Sequence, residues 1–120
     1  MKDGLYHRDV FMPRAALSQV IGSTYALRLS RHAREACMSD RYGIIKPPQY
    51  ITVTEATVIE LEVTSQYVTK IVSRHPYDND NDIIVVIIPE GGTGFCKTFW
   101  LNRRTDAHRT LDRSKYHTQN

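Results

Sequence analysis

The stretch IELEVTSQYVTKIVSRH, residues 59–75, decides the fold. Apolar residues occupy every second position from Ile59 to Val63 and alternate with glutamates, which is the pattern of a half-buried strand. Ser65 and Gln66 follow where a tight turn would lie, and the run from Val68 to His75 has the composition of a second strand. Two strands joined by so short a turn pair antiparallel, so this stretch predicts a β-hairpin.

Two more strands follow the hairpin. The run from Ile83 to Ile88 is apolar on both sides, as in a central strand covered at least in part on both faces. The run from Phe95 to Leu101 is the fourth predicted strand. Between them, the GGTG stretch at Gly91–Gly94 joins two strands and lacks the Lys-Ser/Thr of a phosphate loop, so we interpret it as a hairpin turn. Four strands with short connections predict an antiparallel meander.

The first third of the chain has helical patterns. Pro13 stands at the start of a predicted helix that runs to Ile21, and Ser30 stands at the N-cap of a second helix, Arg31 to Asp40. A strand-like segment, Tyr25 to Leu29, separates them. We therefore expect an α+β fold in which N-terminal helices pack on one face of a four-stranded antiparallel β-meander and leave the other face open.

A chain of 120 residues suits one domain with a real hydrophobic core. We expect a single domain over residues 1–120, with an N-terminal helical extension (1–24), a core (25–116) and a short tail (117–120). The composition, 41% hydrophobic and 24% charged, is that of an ordinary soluble globular protein rather than a disordered or membrane one.

The sequence indicates neither membrane insertion nor secretion. The longest apolar run, Ile83 to Ile88, is far too short to cross a bilayer, and the N-terminus has no apolar signal-peptide core. Cys37 and Cys96 lie far apart without CxxC spacing, so we expect neither a disulfide framework nor a zinc site. The predicted location is the cytoplasm, without a membrane partner, and we expect no metal or other cofactor.

Positive charge is concentrated at the C-terminal end. Residues 97–120 hold six Lys and Arg against two Asp, a net charge of +4, whereas the whole chain carries +3. A local basic patch attracts polyanions and raises their encounter rate. The alternative interpretation is an ordinary solvated terminus.

Two stretches resemble known proteins. LSRHAREACMSDRYGI, residues 29–44, resembles the helix near the start of small toxin-like domains in the barnase, EndoU, colicin and RelE ribonuclease superfamily. KTFWLNRRTDAHRTLD, residues 97–112, is similar to the ending of small proteins, often carried by phages, with the same architecture. The resemblance covers roughly residues 27–116 and implies a RelE-like fold and metal-independent RNA cleavage. Where these domains often have Arg four residues after the His, this chain has Ala36.

Such cleavage needs a general base, a general acid and cations around the phosphate. His108 is the first candidate, because Asp106 would orient its ring if the backbone between them is extended; in a helical turn the two side chains would point apart. His32, in the first turn of the second helix, is a candidate for the other proton transfer or an ordinary surface residue. Since RelE-like domains tend to place a functional tyrosine or lysine near the C-terminus, Tyr116, next to Lys115, is the remaining catalytic candidate.

Several cations are candidates for phosphate contact. Rigid strands hold a site more tightly than loops, which favours Arg74 and Lys97. Lys97 would share the core-facing side of its strand with Phe99, or else Phe99 would be exposed, and both arrangements stay open. Trp100 would stack on bases, although a tryptophan in a strand is more often part of the core. The candidate nucleic-acid-binding residues are Arg74, Lys97, Arg103, Arg104, Arg109 and Lys115.

Three functions follow as hypotheses. The leading one is a metal-independent endoribonuclease of RelE or barnase type, with RNA as substrate and a protein inhibitor or host protein as a further partner. The second is a non-catalytic, phage-borne interaction protein that binds nucleic acid or a host protein through its basic C-terminal edge. The third is a small structural component that self-associates through exposed strand edges.

Overall fold

The computed structural model describes residues 2–39, 44–106 and 111–118. Over these residues the chain forms two α-helices, seven β-strands and one 3₁₀ turn. Their order along the chain is β1 (Gly4–His7), α1 (Arg14–Leu17), β2 (Thr24–Leu29), α2 (Arg31–Ser39), β3 (Tyr50–Thr52), β4 (Val58–Thr64), β5 (Tyr67–Pro76), β6 (Asn81–Glu90), β7 (Thr93–Arg103) and the 3₁₀ turn at Arg113–Lys115.

The seven described strands lie in one sheet, in the order β1-β4-β5-β6-β7-β2-β3. Strands β4 to β7 form an antiparallel meander. Strand β1 pairs antiparallel with β4, β2 pairs parallel with β7, and β3 pairs antiparallel with β2. The sheet is therefore mixed, and the first half of the chain supplies both of its edges.

The predicted fold class, α+β with N-terminal helices on a four-stranded meander, is wrong. The meander is present, but it is the middle of a seven-stranded mixed sheet, and only two short helices accompany it in the described residues. Strand β1 lies where a helical extension was expected, and the helix expected from Pro13 to Ile21 spans only Arg14–Leu17. The physical reason is that a segment as short as β1 or β3 has too few residues to show an alternating pattern.

The β4–β5 hairpin is closed by Ser65 and Gln66, as predicted. Both have positive φ, 52° and 72°, a conformation that matches the twist of paired strands but is unfavourable for residues other than glycine. The carboxylate of Asp3 accepts hydrogen bonds from both backbone N–H groups, at 2.8 and 3.0 Å. These bonds lower the pKa of Asp3. The N-terminal arm thus helps to hold the turn.

One face of the sheet carries the main hydrophobic core, and both helices pack on this face through fully buried alanines, Ala16 and Ala33. Alternate residues of the meander complete it, because successive side chains of a strand point to opposite faces. The hydrophobic side chains from β4, β5 and β6 that are completely buried are Leu61, Ile71, Ile83, Val85 and Ile87.

A β-bulge at Lys97 sets the orientation of β7. The residues on either side of Lys97 pair with consecutive residues of β6, so Lys97 is the extra residue. As a result Cys96 and Phe99 both contribute to the main core although they are three positions apart. The question left open by the sequence is therefore answered: Phe99 is buried, Lys97 is exposed, and Trp100 faces away from the main core.

The opposite face of the sheet, which we call the second face, was expected to be open. It is partly covered by the C-terminal segment, residues 111–118, whose His117 backbone N–H donates a 2.9 Å hydrogen bond to the carbonyl of Leu5 in β1. Beneath this segment the second face carries a small hydrophobic cluster of its own. Its members are Ile59, Val72, Ile84 and the partly buried Val86.

Candidate nucleic-acid interface

A pocket of about 400 Å³ lies between the second face and the C-terminal segment. The small hydrophobic cluster of the second face forms its floor, Trp100 and Asn102 of β7 line one part of it, and Leu111 and Lys115 belong to the C-terminal segment above. Its volume falls within the range of about 300–1,000 Å³ that is typical of small-molecule sites. The pocket is the candidate site.

Charged and aromatic side chains meet at one part of this pocket. Lys70 Nζ lies 3.1 Å from Glu60 Oε2, with the two side chains only 26% and 15% exposed. The hydroxyl of Tyr116 donates a 2.7 Å hydrogen bond to Glu60 Oε1. The buried ring of His7, which is opposite Glu60 in the β1–β4 pair, lies with its centroid 4.9 Å from that of Tyr116. Three separate parts of the chain therefore converge on Glu60.

The environment of Tyr116 favours the protonated phenol. Burial is the main cause that raises its pKa, and the Glu60 carboxylate raises it further by accepting its hydrogen bond and by its negative charge. A phenol in this state is a hydrogen-bond donor at neutral pH. In the described structure its contact with Glu60 ties the C-terminal segment to β4.

Trp100 is the exposed aromatic residue of the site. It lies in the middle part of β7 opposite Ile84 of β6, and 42% of its surface is accessible. A large aromatic side chain exposed in the interior of a strand is an informative feature, because residues of this type are highly buried on average. Of the two alternatives left by the sequence, core or stacking surface, its exposure favours the second.

Arg74 does not present a free charge. Its Nε donates a 2.6 Å hydrogen bond to Asp82, and its Nη2 donates one of 2.8 Å to the carbonyl of Arg103. The same guanidinium contacts the carbonyl of Asp106 at 3.4 Å, and Arg104 Nε lies 3.3 Å from the other oxygen of Asp82. Arg74 thus holds the end of β7 in place. Arg74 and Arg104, which were both predicted to bind phosphate, share the carboxylate of Asp82.

The second helix lies on the other side of the sheet. Ser30 caps it, as predicted, by accepting a 3.0 Å hydrogen bond from the N–H of Ala33, and its hydroxyl donates at 2.8 Å to the carbonyl of Lys97. His32 is exposed in the first turn of this helix, which packs on the main core. Because Tyr116 lies on the second face, the structure does not bring His32 and Tyr116 together.

The other predicted residues lie near the end of β7 and in the C-terminal segment. Asp106 is exposed, and its backbone N–H donates to the carbonyl of Arg103 at 3.0 Å. Arg103 is exposed and lines a recess of about 430 Å³ together with the turn at residues 79–81. His108 and Arg109 lie outside the described residues, so the expected pairing of Asp106 with His108 stays a prediction.

The sequence did not reveal four of the pocket residues: His7, Glu60, Lys70 and Asn102. Glu60 and Lys70 occupy outward positions on the two strands of the predicted hairpin, and this alternation was the available signal that they lie near each other. His7 gave no signal, because its strand was not recognised. Asn102 follows the predicted end of the last strand, which extends to Arg103.

Within the described residues, none of the helices has both the length and the apolar composition that crossing a membrane requires. No protein-family model, curated protein or solved structure matches this chain. The resemblance to RelE-like domains therefore stays a prediction, and the function has to be argued from the pocket and its surroundings.

Proposed function

We propose that this protein binds single-stranded nucleic acid on the second face of its sheet, around Trp100, without cleaving it. The observation that carries the proposal is the 42% exposure of Trp100 in the middle part of a strand, beside a pocket with an apolar floor. Exposed aromatic side chains on a sheet are stacking platforms for unpaired bases, and the contact tolerates any base because each has a π-face.

The charges around Trp100 support this proposal. Lys115 lines the same pocket as Trp100, and Arg113 lies in the same 3₁₀ turn as Lys115. Both are exposed and form no ion pair with any residue in the described ranges. Exposed cations beside an aromatic platform suit a polyanion whose bases are accessible.

The positions of the predicted catalytic residues favour a binding function over a catalytic one. A cleavage mechanism needs its acid and its base within hydrogen-bond reach of one phosphate. Among the predicted catalytic residues, His32 and Tyr116 lie on opposite sides of the sheet, and the hydroxyl of Tyr116 is hydrogen-bonded to Glu60. A cytoplasmic location and RNA as the natural partner, both expected from the sequence, belong to the same proposal.

The endoribonuclease expected from the sequence is the second candidate. The observation that favours it is the meeting of His7, Glu60, Lys70 and Tyr116 at one pocket, since these residue types can donate, accept or stabilise charge at a phosphate. In this mechanism a rearrangement would have to release the phenol of Tyr116 from Glu60.

The test uses a fluorescently labelled RNA of about ten unpaired nucleotides, a length within the usual site sizes. We expect anisotropy to report binding that weakens as salt rises from about 50 to about 200 mM, and Trp100→Ala to weaken it about tenfold or more. Tyr67→Ala is the matched control, because Tyr67 is 72% exposed but does not line the pocket, and it should bind like the wild type.

The same samples, analysed on a denaturing gel after incubation in EDTA, separate the two candidates. Intact RNA together with salt-dependent binding supports the binding protein. Fragments that disappear in His108→Ala and Tyr116→Phe support the ribonuclease. If neither binding nor cleavage is seen, or if Trp100→Ala binds as tightly as the wild type, the proposed function is wrong.

A further inference from the structure

We infer that the pocket beside Trp100 accepts one base of the bound strand, that this base is adenine, and that Asn102 recognises it. The inference rests on the proposed function and names the part of the strand that enters the protein. Its basis is the combination of an apolar floor, an aromatic wall and a side-chain amide without a hydrogen-bond partner among the described residues, in one cavity of about 400 Å³.

The floor and wall suit a planar ring. Ile59, Val72 and Ile84 are at most 8% exposed and come from three adjacent strands, so they form a continuous apolar surface under the pocket. Trp100, opposite Ile84 on the next strand, borders this surface. A base that leaves the stack of its own strand would regain stacking against the indole and bury its other apolar surface on the floor.

Asn102 has unused hydrogen-bonding capacity. It is two residues beyond Trp100 on β7, so both side chains point to the second face and lie about 7 Å apart along the strand. Its amide makes no hydrogen bond to any residue in the described part of the chain. An asparagine amide offers a donor and an acceptor side by side, which matches the N7 and N6 positions of adenine.

The two carboxylates that line the pocket already have hydrogen-bond partners. Both oxygens of Glu60 have partners, one in Tyr116 and the other in Lys70, and Asp112 Oδ1 accepts from the backbone N–H and the hydroxyl of Ser114. Asn102 is the lining residue whose side chain offers a donor and an acceptor together, so base recognition falls to it.

Lys115 supplies the charge for the phosphate of the inserted nucleotide. It lines the pocket from the C-terminal segment, it is exposed, and it forms no ion pair with a described residue, whereas Lys70 in the same pocket is neutralised by Glu60 and Glu62. An ammonium group at the mouth contacts a phosphate without regard to the base. Asn102 is thus assigned to recognition of the base, and Lys115 to attraction of the phosphate backbone of the nucleic acid.

The experiment compares labelled RNA strands of equal length whose central nucleotide is adenine or cytosine in an otherwise uridine context. We expect the adenine strand to bind about tenfold more tightly, a difference typical of one bidentate base contact. Asn102→Ala should lower the affinity for the adenine strand to that for the cytosine strand. Lys115→Gln should weaken both strands equally and keep the preference.

Asn79→Ala is the matched control, since Asn79 is exposed in the turn before β6 and does not line this pocket. It should preserve both affinity and preference. If both strands bind equally, or if Asn102→Ala keeps the preference, the base pocket is refuted while the proposed function stands. If no strand binds at any salt concentration, both are refuted. A thermal unfolding curve for each variant shows whether a lost preference reflects a lost fold.

Discussion

The hydroxyl of Tyr116 donates a 2.7 Å hydrogen bond to Oε1 of Glu60, which lies 56 residues earlier in the chain. The other oxygen of this carboxylate lies 3.1 Å from the ammonium group of Lys70. One glutamate therefore connects β4, β5 and the C-terminal segment, and the upper wall of the pocket depends on it.

We expect Tyr116→Phe to loosen the C-terminal segment. The change removes one hydrogen bond to a half-buried carboxylate, so the free energy of unfolding should fall by about 1 kcal/mol, measured by urea denaturation. Trypsin should also cut faster after Arg113 and Lys115, which lie in this segment. Tyr67→Phe, at an exposed position, should change neither quantity. Equal proteolysis of both variants would contradict the anchoring role.

Arg74 should stabilise the fold, whereas Lys115 should contact the phosphates of a bound nucleic acid. Arg74→Gln leaves Asp82 with Arg104 alone and removes the contact to the Arg103 carbonyl, so the free energy of unfolding should fall by about 2–3 kcal/mol. At a temperature where it stays folded, its RNA affinity should show the wild-type dependence on salt. Lys115→Gln should leave the stability within about 0.5 kcal/mol and reduce the salt slope by about 1. The reverse pattern would make Arg74 the phosphate contact.

His75 should make the fold less stable in mild acid. Burial lowers its pKa below the ordinary value of 6.5, against the smaller opposing effect of the Asp82 carboxylate. Between the folded-state pKa and 6.5 the unfolded chain binds a proton that the folded chain does not, so stability is full above pH 6.5 and falls as the pH decreases. The slope should approach at most about 1.4 kcal/mol per pH unit.

The control for this pH dependence is His75→Gln, whose amide can still hydrogen-bond the buried hydroxyl of Ser73, now 2.8 Å from His75 Nε2. Urea denaturation at several values between about pH 5 and pH 7.5 covers the window above the carboxylate titrations. The variant should have a flatter profile than the wild type. Identical profiles would assign the acid sensitivity to other groups.

The bulge at Lys97 should tolerate the loss of its side chain and also the loss of the extra residue. Lys97→Ala keeps the extra residue and should change the free energy of unfolding by no more than about 0.5 kcal/mol. Deletion of Lys97 makes Cys96 and Thr98 consecutive opposite Ile87 and Val86, so Phe99 should stay in the main core and the strand should become regular. The deletion also removes the carbonyl that accepts the hydroxyl of Ser30, so we expect a lower thermal midpoint with cooperative unfolding retained. Loss of the cooperative transition would contradict this account of β7.

Much of the meander was predictable because its signals are local. The alternation in β4, the apolar run in β6 and the turn at Ser65–Gln66 each depend on neighbouring residues, and all three match the structure. The same holds for α2, whose cap at Ser30 is decided within one turn of helix. In these parts of the chain the period of the pattern corresponds directly to the backbone conformation.

The candidate site was less accessible to prediction. His32 lies across the sheet from Tyr116, and Arg74 pairs with Asp82 of the neighbouring strand. Both facts depend on which segments become neighbours in the fold, and the sequence pattern does not give this. Trp100 was recognised as a stacking candidate from its residue type alone. Its exposure follows from the bulge at Lys97. A bulge is a one-residue irregularity in strand pairing, and it has no distinctive sequence pattern.

The sequence by itself determined the hairpin, the four strands of the meander, the capped helix α2 and the basic character of the last 24 residues. Only the tertiary structure decided that β2 pairs parallel with β7, that β1 and β3 complete the sheet, and that His7, Glu60 and Tyr116 meet over the second face. The physical reason is the range of the interactions. Turn geometry and side-chain alternation act between near neighbours, whereas contacts between distant segments are selected by the burial and hydrogen bonding of the whole chain.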